Sequence, residues 1–393
     1  MKKLNIGLFG FGVVGEGIYK VLEEKPQLNA TIKKIVIKDL SKPRNAPSEL
    51  FSDNADDILE DDEINVVVEL ISESDAAHAI IVKAFDKGKH VVSANKKLIA
   101  EHHKELLELQ YKNNVSFLYE ASVCGSVPII RNLEEYFDND LLNYVSGIVN
   151  GTTNYILTKM AKENESYQDA LKAAQDSGFA EADPTADVEG FDAASKLAII
   201  TLHAYGKKID VKDVIRKGIM SLQVQDFKYA KEKGYTIKLI ANSTINHQTG
   251  EINSTVLPTF VKLNKTIALV NNEYNGVLIG SSLSDEQFLY GKGAGRFPTS
   301  SAVLSDISAL NYDYKYSIRK YDEKEEGVFN QSGQLKVYIG FKDKNLDVVS
   351  YFDEVEERYE SPDYSHIIGK IDINTLKNKE LIENPNLSLI VLD

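Results

Sequence analysis

The 393-residue sequence has little cysteine and no long apolar segment. Cys124 is its one cysteine, so an intrachain disulfide is excluded and a reducing compartment is favoured. No uninterrupted apolar run approaches the roughly 18 residues of a membrane-spanning helix. The N-terminal residues run straight into a strand pattern interrupted by glycines, and no signal-peptide cleavage site follows. These absences predict a cytoplasmic protein with no membrane partner.

Basic residues are also in deficit. The sequence has 45 Lys and Arg residues against 59 Asp and Glu residues, which gives a formal net charge of −14. Because no basic excess is present to displace counterions, nucleic acid and anionic membranes are excluded as main partners. A small anionic ligand is still allowed, since a nest of backbone N–H groups binds an anion whatever the net charge.

Short apolar strands alternate with helices in the first 120 residues. This order is typical of right-handed βαβ crossovers and predicts a doubly wound, parallel α/β sheet of the Rossmann type. The predicted strands are 4–9, 32–37, 65–71, 90–93 and 116–120, and the predicted helices are 13–22, 75–87 and 103–111. We expect this dinucleotide-binding domain over 1–128, completed by about 285–320.

The pattern changes after Pro128. Residues 148–159 and 192–201 are predicted helices, and residues 237–269 alternate as in a sheet that need not be parallel. These features predict an α+β domain over 129–284 for catalysis and dimerisation. The charged stretch 321–327 is typical of a linker.

The remaining segment, 328–393, is predicted to form a strand, a helix and two further strands. The expected ranges are 335–341, 347–358, 366–373 and 387–392. This βαββ order resembles a shortened ACT regulatory domain, but the Pro-Gly turn of its amino-acid site is replaced by residues 343–347. We therefore expect a degenerate ACT-like segment that serves packing or dimer contact rather than threonine feedback.

A glycine-rich turn follows the first strand and opens the first helix. It fits the pattern G-x-G-x-x-G with Gly10, Phe11, Gly12, Val13, Val14 and Gly15. The first glycine permits the tight turn, the second lets a pyrophosphate approach, and the third lets helix and strand pack closely. The helix N-terminus then offers unpaired N–H groups to the phosphates. The alternative is a glycine-rich turn without a ligand.

The end of the second strand discriminates between the two dinucleotides. An acid there binds the ribose of NAD, whereas a base accommodates the 2′-phosphate of NADP. Lys38 and Asp39 offer both, with Lys42 and Arg44 just beyond. Lys38 is either a phosphate ligand or a solvated residue at the strand end. The sequence favours NADP(H) over NAD(H).

Two later segments carry residues suited to proton transfer and charge pairing. In the first, Lys96 follows a predicted parallel strand, where it either holds a substrate oxygen or begins a helix. The second, 181–196, has five acids before an apolar helix, and Asp192 and Lys196 share one helix face. Carboxylates there suit a substrate ammonium group, and Lys196 suits a proton donor to an alkoxide. The alternative is an acidic helix start with an ordinary ion pair.

Taken together, these motifs resemble homoserine dehydrogenase. That enzyme interconverts aspartate 4-semialdehyde and homoserine in the biosynthetic branch towards threonine and methionine. The resemblance covers about residues 4–312. It rests on the motifs 10–15, 93–96, 120–122, 147–156, 178–187 with Lys196, 291–295 and 298–299, which occur in the family's order.

The resemblance implies a role for each matching position. Residues expected to be catalytic are Lys196, Lys96 and Asp192, with Lys196 exchanging the proton of the substrate hydroxyl. Residues expected to bind the substrate are Glu181, Asp187, Asp192, Gly151 and Thr152. Beside residues 10–15, the cofactor is expected to contact Lys38, Ser93, Lys96, Gly178 and Gly295. A monovalent cation, sodium, is expected at Glu120, Val123, Gly125 and Val127. The family also implies a homodimer.

The sequence departs from the family in two loops. Cys124 and Ser126 replace glycines where glycine allows a positive φ or a close approach, and residues 72–77 replace a Gly-Gly and Pro-Ala pattern. These changes motivate a second hypothesis, a non-catalytic dinucleotide-binding paralogue that acts as a sensor or assembly partner. A third is a dehydrogenase of the same fold acting on a related amino-acid aldehyde. Cys124 is expected to be a poor nucleophile, because hydride transfer needs no covalent intermediate.

Overall fold

The computed structural model describes residues 3–138, 140–316, 320 and 332–392, and they form two compact units. The parallel-sheet unit takes the chain up to Tyr136 and the segment that begins at Lys292. The mixed-sheet unit takes Phe137–Gly291 and the C-terminal residues from Lys320. The predicted linker 321–327 lies outside the described residues.

Within the described ranges the chain forms sixteen strands and twelve α-helices. The strands are β1 (Leu4–Phe9), β2 (Ala30–Val36), β3 (Phe51–Ser52), β4 (Val66–Glu69), β5 (His90–Ser93), β6 (Phe117–Leu118), β7 (Leu142–Ile148), β8 (Ile215–Arg216), β9 (Tyr235–Ile245), β10 (Ile252–Lys262), β11 (Tyr274–Ser281), β12 (Asp285–Lys292), β13 (Gln334–Phe341), β14 (Glu354–Tyr359), β15 (Ser365–Asp372) and β16 (Leu387–Leu392). The helices are α1 (Val13–Glu24), α2 (Asp56–Leu59), α3 (Ser74–Asp86), α4 (Lys96–Lys112), α5 (Ile129–Glu135), α6 (Gly151–Glu163), α7 (Tyr167–Asp176), α8 (Thr185–Val188), α9 (Phe191–Tyr205), α10 (Val224–Glu232), α11 (Arg296–Ala309) and α12 (Lys379–Ile382).

The parallel-sheet unit contains a six-stranded sheet in the order β3-β2-β1-β4-β5-β6, with every pair parallel. This is the doubly wound order in which ligands bind at the carboxyl ends of the strands, beside the β1/β4 switch point. Register places Phe9 opposite Glu69 and Glu69 opposite Ser93, so three strand ends meet at that edge. The predicted Rossmann-type fold is confirmed.

Helix α11 belongs to this unit although it lies far along the chain. It packs against α1, where Gly17 makes the approach possible. A Cβ at Gly17 would lie 2.4 Å from the Ser300 hydroxyl oxygen, so any side chain there would push the helices apart. The Ser300 hydroxyl donates to the Val14 carbonyl oxygen at 3.0 Å and fixes their register.

The mixed-sheet unit contains a sheet in the order β12-β11-β7-β9-β10-β16-β13-β15-β14, with β8 beside β10. Strand β10 runs parallel to β8 and to β16, whereas the pairs β11–β7, β7–β9, β9–β10, β16–β13, β13–β15 and β15–β14 are antiparallel. Helix α9 packs against β7, β9 and β10 and is buried along most of its length. An almost wholly apolar sequence such as Leu197–Thr201 is what a helix in such a position requires.

The C-terminal segment differs from the prediction. The expected helix over 347–358 is wrong: residues 349–351 form one 3-10 turn, and 354–359 form strand β14. This edge strand is charged and exposed, and it pairs with β15 through a bulge. Cross-strand ion pairs such as Lys370–Glu354, at 2.7 Å, stabilise the extended form. Five of the six residues of β14 are exposed, so this strand lacks the alternation of apolar and polar residues that predicts a strand.

The expected shortened ACT-like domain over 328–393 is not confirmed. Strands β13, β15 and β16 continue the same sheet as β10, and their side chains join a common core with residues from earlier in the chain. Ile215 and Leu257 pack there with Val337 and Leu389. The segment is thus an extension of the mixed sheet.

In the described part of the chain, no helix combines the length and the apolar character needed to cross a membrane.

Candidate functional site

The turn between α8 and α9 brings Asp192, the last acid of the motif, to a buried position in the mixed-sheet unit. Gly190 is the N-cap of α9 and takes a left-handed conformation with φ of 83°, which glycine adopts without strain. The helix therefore starts at once with Asp192 in its first turn. Asp192 is 5 % exposed, so its carboxylate is largely withdrawn from water.

Lys196 lies one turn further along α9 and points to the same place. Its Nζ donates to Asp192 Oδ2 at 2.8 Å and to the Val149 carbonyl oxygen at 2.8 Å. The side chain is 11 % exposed, so the ion pair is nearly buried. A lysine fixed in this way presents a defined proton donor.

Asn150 joins the carboxylates of Asp187 and Asp192. Its Nδ2 donates to Asp187 Oδ1 at 2.6 Å and to Asp192 Oδ2 at 2.8 Å, while its Oδ1 accepts from the Thr153 backbone N–H at 2.8 Å as the N-cap of α6. One buried amide thus orients two acids and begins a helix. The sequence analysis gave Asn150 no role; its position as a cap before Gly-Thr-Thr was the available signal.

Asp187 sits in an environment that disfavours its charge. Burial and the Asp192 carboxylate raise the pKa of Asp187, and the Asn150 hydrogen bond opposes the rise. Two carboxylates near one lysine leave an excess of negative charge, which suits a cationic ligand group. The predicted residues Asp187, Asp192 and Lys196 are therefore brought together.

The other predicted substrate residues lie around the N-terminus of α6. A Cβ at Gly151 would lie 2.7 Å from the Glu273 carbonyl oxygen, so only glycine fits. The Thr152 hydroxyl donates to the Phe179 carbonyl oxygen at 2.7 Å and ties α6 to the loop after α7. Glu181 lies in this loop with an exposed side chain, and its carbonyl oxygen accepts from Gln175 at 3.1 Å.

Gly178 ends α7 in a left-handed conformation with φ of 75°. It is exposed, with nothing within 4 Å of where a Cβ would be. Its surroundings are open enough for a ligand.

In the parallel-sheet unit, the glycine-rich turn has the geometry of a phosphate cradle. A Cβ at Gly10 would lie 2.9 Å from the Leu70 carbonyl oxygen, and one at Gly15 would lie 2.6 Å from the Gly10 carbonyl oxygen. Gly12, by contrast, faces open space, with nothing within 4 Å. The outer glycines thus close the turn and the middle one leaves room for a pyrophosphate. Val13 is exposed at the helix start, and Phe11 is buried.

Arg44 folds back onto this turn. Its Nη1 donates to the Phe11 carbonyl oxygen at 2.9 Å and its Nη2 to the Asp39 carbonyl oxygen at 3.4 Å. Asp39 itself accepts from the Ser41 hydroxyl at 2.6 Å and from its backbone N–H at 2.9 Å, and these bonds lower the pKa of Asp39. Lys38 is exposed. At this strand end the Asp39 carboxylate is hydrogen-bonded to Ser41, whereas the Arg44 guanidinium lies against the glycine-rich turn.

Ser93 ends β5 and bonds to a buried acid that the sequence analysis missed. Its hydroxyl donates to Glu69 Oε2 at 2.6 Å, and the Ile71 backbone N–H donates to Glu69 Oε1 at 2.7 Å. Glu69 is fully buried at the end of β4, and burial raises its pKa to about 7. The sequence feature that could have identified Glu69 is a single acid at the end of an apolar strand.

Lys96 is the first residue of α4 and is half-buried. Asn95 caps this helix through its side-chain oxygen, which accepts from the Leu98 backbone N–H at 3.1 Å, and its amide donates to the Ile71 carbonyl oxygen at 3.2 Å. The cap fixes the start of α4 and therefore the position from which the Lys96 side chain projects.

The loop predicted to bind a cation is held by buried contacts. Glu120 accepts hydrogen bonds from the backbone N–H groups of Ile130, at 2.9 Å, and Arg131, at 2.8 Å, and burial raises its pKa to about 7. Gly125 has φ of 55°, and a Cβ there would lie 2.5 Å from the Gly293 carbonyl oxygen. Val123 and Val127 flank it and are buried.

The two side chains that replace family glycines lie beside Gly125 without strain. Neither Cys124 nor Ser126 has a positive φ, and Cys124 is fully buried. Residues 72–77 likewise avoid positive φ, and Glu73 is exposed next to the first turn of α3. Gly295 has φ of 117° and is the N-cap of α11.

The chain matches known proteins over both units. Residues 10–120 match the family model described as "Homoserine dehydrogenase, NAD binding domain", and residues 128–308 match the one described as "Homoserine dehydrogenase". The homoserine dehydrogenase of Bacillus subtilis is 40 % identical over 319 residues, which are 79 % of this chain and 73 % of that protein. The Synechocystis homoserine dehydrogenase is 38 % identical over 313 residues, covering 77 % of this chain and 72 % of that protein.

Solved structures agree with these sequence matches. The homoserine dehydrogenase from Thiobacillus denitrificans has a TM-score of 0.86 and 29 % identity, covering 100 % of this chain and 98 % of that one. The S. aureus homoserine dehydrogenase at pH 6.5 has a TM-score of 0.77 and 30 % identity, covering 100 % and 99 %. A hyperthermophilic archaeal homoserine dehydrogenase in complex with NADPH has a TM-score of 0.67 and 25 % identity, covering 80 % and 99 %.

Proposed function

The chain belongs to the homoserine dehydrogenase family, and we propose that Lys196, held by Asp192, moves the proton in its reaction. That reaction is the nicotinamide-dependent interconversion of aspartate 4-semialdehyde and L-homoserine. The observation that carries the proposal is the pair of 2.8 Å bonds that Lys196 Nζ makes to Asp192 and to the Val149 carbonyl oxygen. An ammonium group has three donors, and we assign the third to the substrate oxygen. In the reductive direction Lys196 gives its proton to the oxygen as the carbonyl becomes a hydroxyl.

The substrate's own charges have matching groups nearby. We assign its ammonium group to Asp187 and Asp192, which Asn150 orients, with Glu181 approaching from the exposed loop. We assign its carboxylate to Gly151 and Thr152, because the N-terminus of a thirteen-residue helix attracts an anion. These contacts would fix the position of the substrate in the mixed-sheet unit.

The cofactor belongs to the parallel-sheet unit. The open space at Gly12 fits a pyrophosphate, and the nicotinamide ring, when bound, supplies or accepts the hydride. We assign the ring to the edge formed by Ser93 and Lys96, and we assign Gly295 to the cofactor as well. NADP(H) is favoured over NAD(H), because Arg44 lies against the glycine-rich turn while Asp39 is bound to Ser41. Lys38 is a second, exposed ligand for the 2′-phosphate.

A monovalent cation fits the loop at 120–127, and we propose sodium. The Glu120 carboxylate already accepts two backbone N–H groups from the first turn of α5. We therefore propose that the cation is bound mainly by the backbone oxygens of Val123, Gly125 and Val127, with Glu120 beside them. Neutral carbonyl oxygens are suitable ligands for a hard cation. The cation would stiffen the loop.

The non-catalytic alternative receives no support, because family models and solved homoserine dehydrogenases match both units. The loops that motivated it are free of positive φ at the substituted positions. We further propose a cytoplasmic homodimer in which the mixed-sheet unit, with its C-terminal extension, supplies the dimer contact. Action on a different amino-acid aldehyde is the second candidate, and a substrate panel separates it.

The test is oxidation of L-homoserine with NADP⁺ or NAD⁺, followed by absorbance of the reduced nicotinamide. We expect Lys196→Ala to lower kcat by about 10²–10⁴-fold, since general acid–base assistance is lost. Lys162→Ala, an exposed lysine of α6, is the control and should keep wild-type turnover. A fall of less than about tenfold in Lys196→Ala would assign the proton to another group.

A further inference from the structure

Two histidines and one glutamate converge between α3 and α4 in the parallel-sheet unit. His78 projects from α3, and His102 and Glu105 project from α4. His78 Nε2 lies 2.9 Å from Glu105 Oε2, His102 Nδ1 lies 3.6 Å from the same oxygen, and the three atoms all lie within 4.8 Å of one another. None of these residues has a part in the dehydrogenase reaction.

We propose that His78, His102 and Glu105 bind one divalent transition-metal ion of the zinc class. Imidazole nitrogen and carboxylate oxygen are ligands that zinc prefers, at about 2.0–2.2 Å. In a tetrahedral site with such bonds, neighbouring ligand atoms are about 3.3 Å apart. The separations of 2.9 Å and 3.6 Å bracket that value, so small side-chain rotations complete the set.

The cluster is arranged by the helices themselves. His102 and Glu105 are three residues apart and therefore share one face of α4. The rings of His78 and His102 pack against each other, with centroids 4.2 Å apart and planes 33° apart, so both rings are held by contact before any ion arrives. Ligands on two packed helices are restrained more tightly than ligands on loops.

The exposure of the three side chains suits entry of an ion. His78 and His102 are 23 % and 32 % exposed and Glu105 is 51 % exposed, so one side of the cluster opens to water. Water then supplies the fourth ligand. The excess of acidic residues in this chain attracts cations in general, whereas the two imidazoles make this particular position selective for a transition metal over magnesium.

The bound ion would join α3 to α4. Helix α4 begins at Lys96, directly after the Asn95 cap, so the ion stabilises the helix that presents Lys96. Because a folded-state ligand shifts the folding equilibrium, the thermal midpoint should rise with metal concentration. The role is structural, and it is independent of the proton transfer assigned to Lys196.

The experiment measures metal binding by the full, untagged chain after treatment with a chelator. Zinc is titrated by equilibrium dialysis, and Co²⁺ is titrated by its visible d–d absorption. We expect one equivalent of zinc per chain and Co²⁺ bands of a four-coordinate ion. His78→Ala and His102→Ala should each weaken binding at least roughly tenfold and remove the bands. His247→Ala, an exposed histidine in the other unit, is the matched control and should bind as the wild type does.

Two results would overturn the proposal. One is the absence of saturable binding in the wild-type chain, which would mean that the cluster is only an ion-paired contact between helices. The other is equal binding by His78→Ala, His102→Ala and wild type, which would place the metal elsewhere. Circular dichroism of each variant confirms that it is folded. Homoserine oxidation by His78→Ala then separates loss of metal from loss of the enzyme.

Discussion

At the residue scale, Asn150 holds two carboxylates of like charge close together. Asp187 and Asp192 repel one another, yet both must approach the same ligand group. A single amide has two N–H donors, and here each goes to a different carboxylate, at 2.6 Å and 2.8 Å. The amide thereby holds the two acids close together, and Lys196 forms an ion pair with Asp192. The arrangement keeps a net negative pocket for a cation.

Arg44 should determine the choice of cofactor. In the proposed mode of binding, Arg44→Ala removes a charge-assisted ligand of the 2′-phosphate, a contact typically worth about 1.5–3 kcal/mol. We expect kcat/KM for NADP⁺ to fall by about 10–100-fold while that for NAD⁺ changes little. The measurement is the ratio of the two values. Lys20→Ala, which removes a charge on the outer part of α1, is the control.

An equal loss with both dinucleotides would show that Arg44 only supports the turn through the Phe11 carbonyl oxygen.

Glu69 should make stability depend on pH. Its folded-state pKa, about 7, lies above the ordinary 4.5, so the folded state holds a proton that the unfolded state releases. Stability is therefore lost as the pH rises from 4.5 to 7, by up to about 3 kcal/mol. Glu69→Gln cannot titrate and so removes that loss. We therefore expect the free energy of unfolding of Glu69→Gln, relative to wild type, to be higher at pH 8 than at pH 5.

Urea unfolding at both pH values measures this difference. The control is Glu73→Gln, an exposed residue in the loop after β4. A gap between Glu69→Gln and wild type that stays constant with pH would show that Glu69 is charged in the folded state throughout this range.

At the scale of elements, the turn before α9 determines where the proposed catalytic residues Asp192 and Lys196 lie. Gly190 has φ of 83°, and a Cβ there would lie 3.3 Å from the Val256 side chain. Alanine in a left-handed conformation costs about 1–2 kcal/mol. We expect Gly190→Ala to lower the thermal midpoint by a few degrees and also to lower kcat at least roughly tenfold, since Asp192 and Lys196 follow directly.

Gly234→Ala is the matched control for that variant. Gly234 has φ of 76° and open space around it, away from Lys196, so it carries the same backbone strain without a neighbouring catalytic helix. It should lose stability and keep kcat. Equal kcat losses in both variants would mean that the Gly190 effect is general destabilisation.

The comparison of sequence and structure is also clearest for elements. Buried elements such as β4 and α9 were predictable because each leaves a nearly continuous apolar run in the sequence. Strand β14 was not, since an exposed edge strand has no buried face to record. Local site residues such as Asp192 and Lys196 share a helix and could be paired from spacing. Asn150 and Glu69 act across tens of residues, so their partners become visible only in three dimensions.

At the scale of the whole molecule, the C-terminal segment should be needed for folding. Its strands share the core of the mixed sheet, where Val337 and Leu389 belong to one hydrophobic cluster with Leu257 and Ile215. Removal of residues 332–393 would expose those side chains and the edge of β10. We expect the shortened chain to aggregate and to show no turnover, measured by size-exclusion chromatography and homoserine oxidation.

Leu389→Ala is the milder companion variant, because it keeps strand β16 and removes buried methyl groups. It should fold with a loss of about 2–5 kcal/mol and retain turnover at low temperature. A shortened chain that stays active with a wild-type melting curve would instead make the segment an independent accessory.

Strand β16 also limits when the mixed sheet can be completed during synthesis of the chain. It pairs with the Thr259–Phe260 end of β10 but is translated more than a hundred residues later. A nascent chain must therefore carry an incomplete sheet while the intervening residues leave the ribosome, and such long-range pairing forms slowly. During that interval the newborn enzyme is a substrate for chaperones, and a stalled ribosome would release a fragment destined for proteolysis.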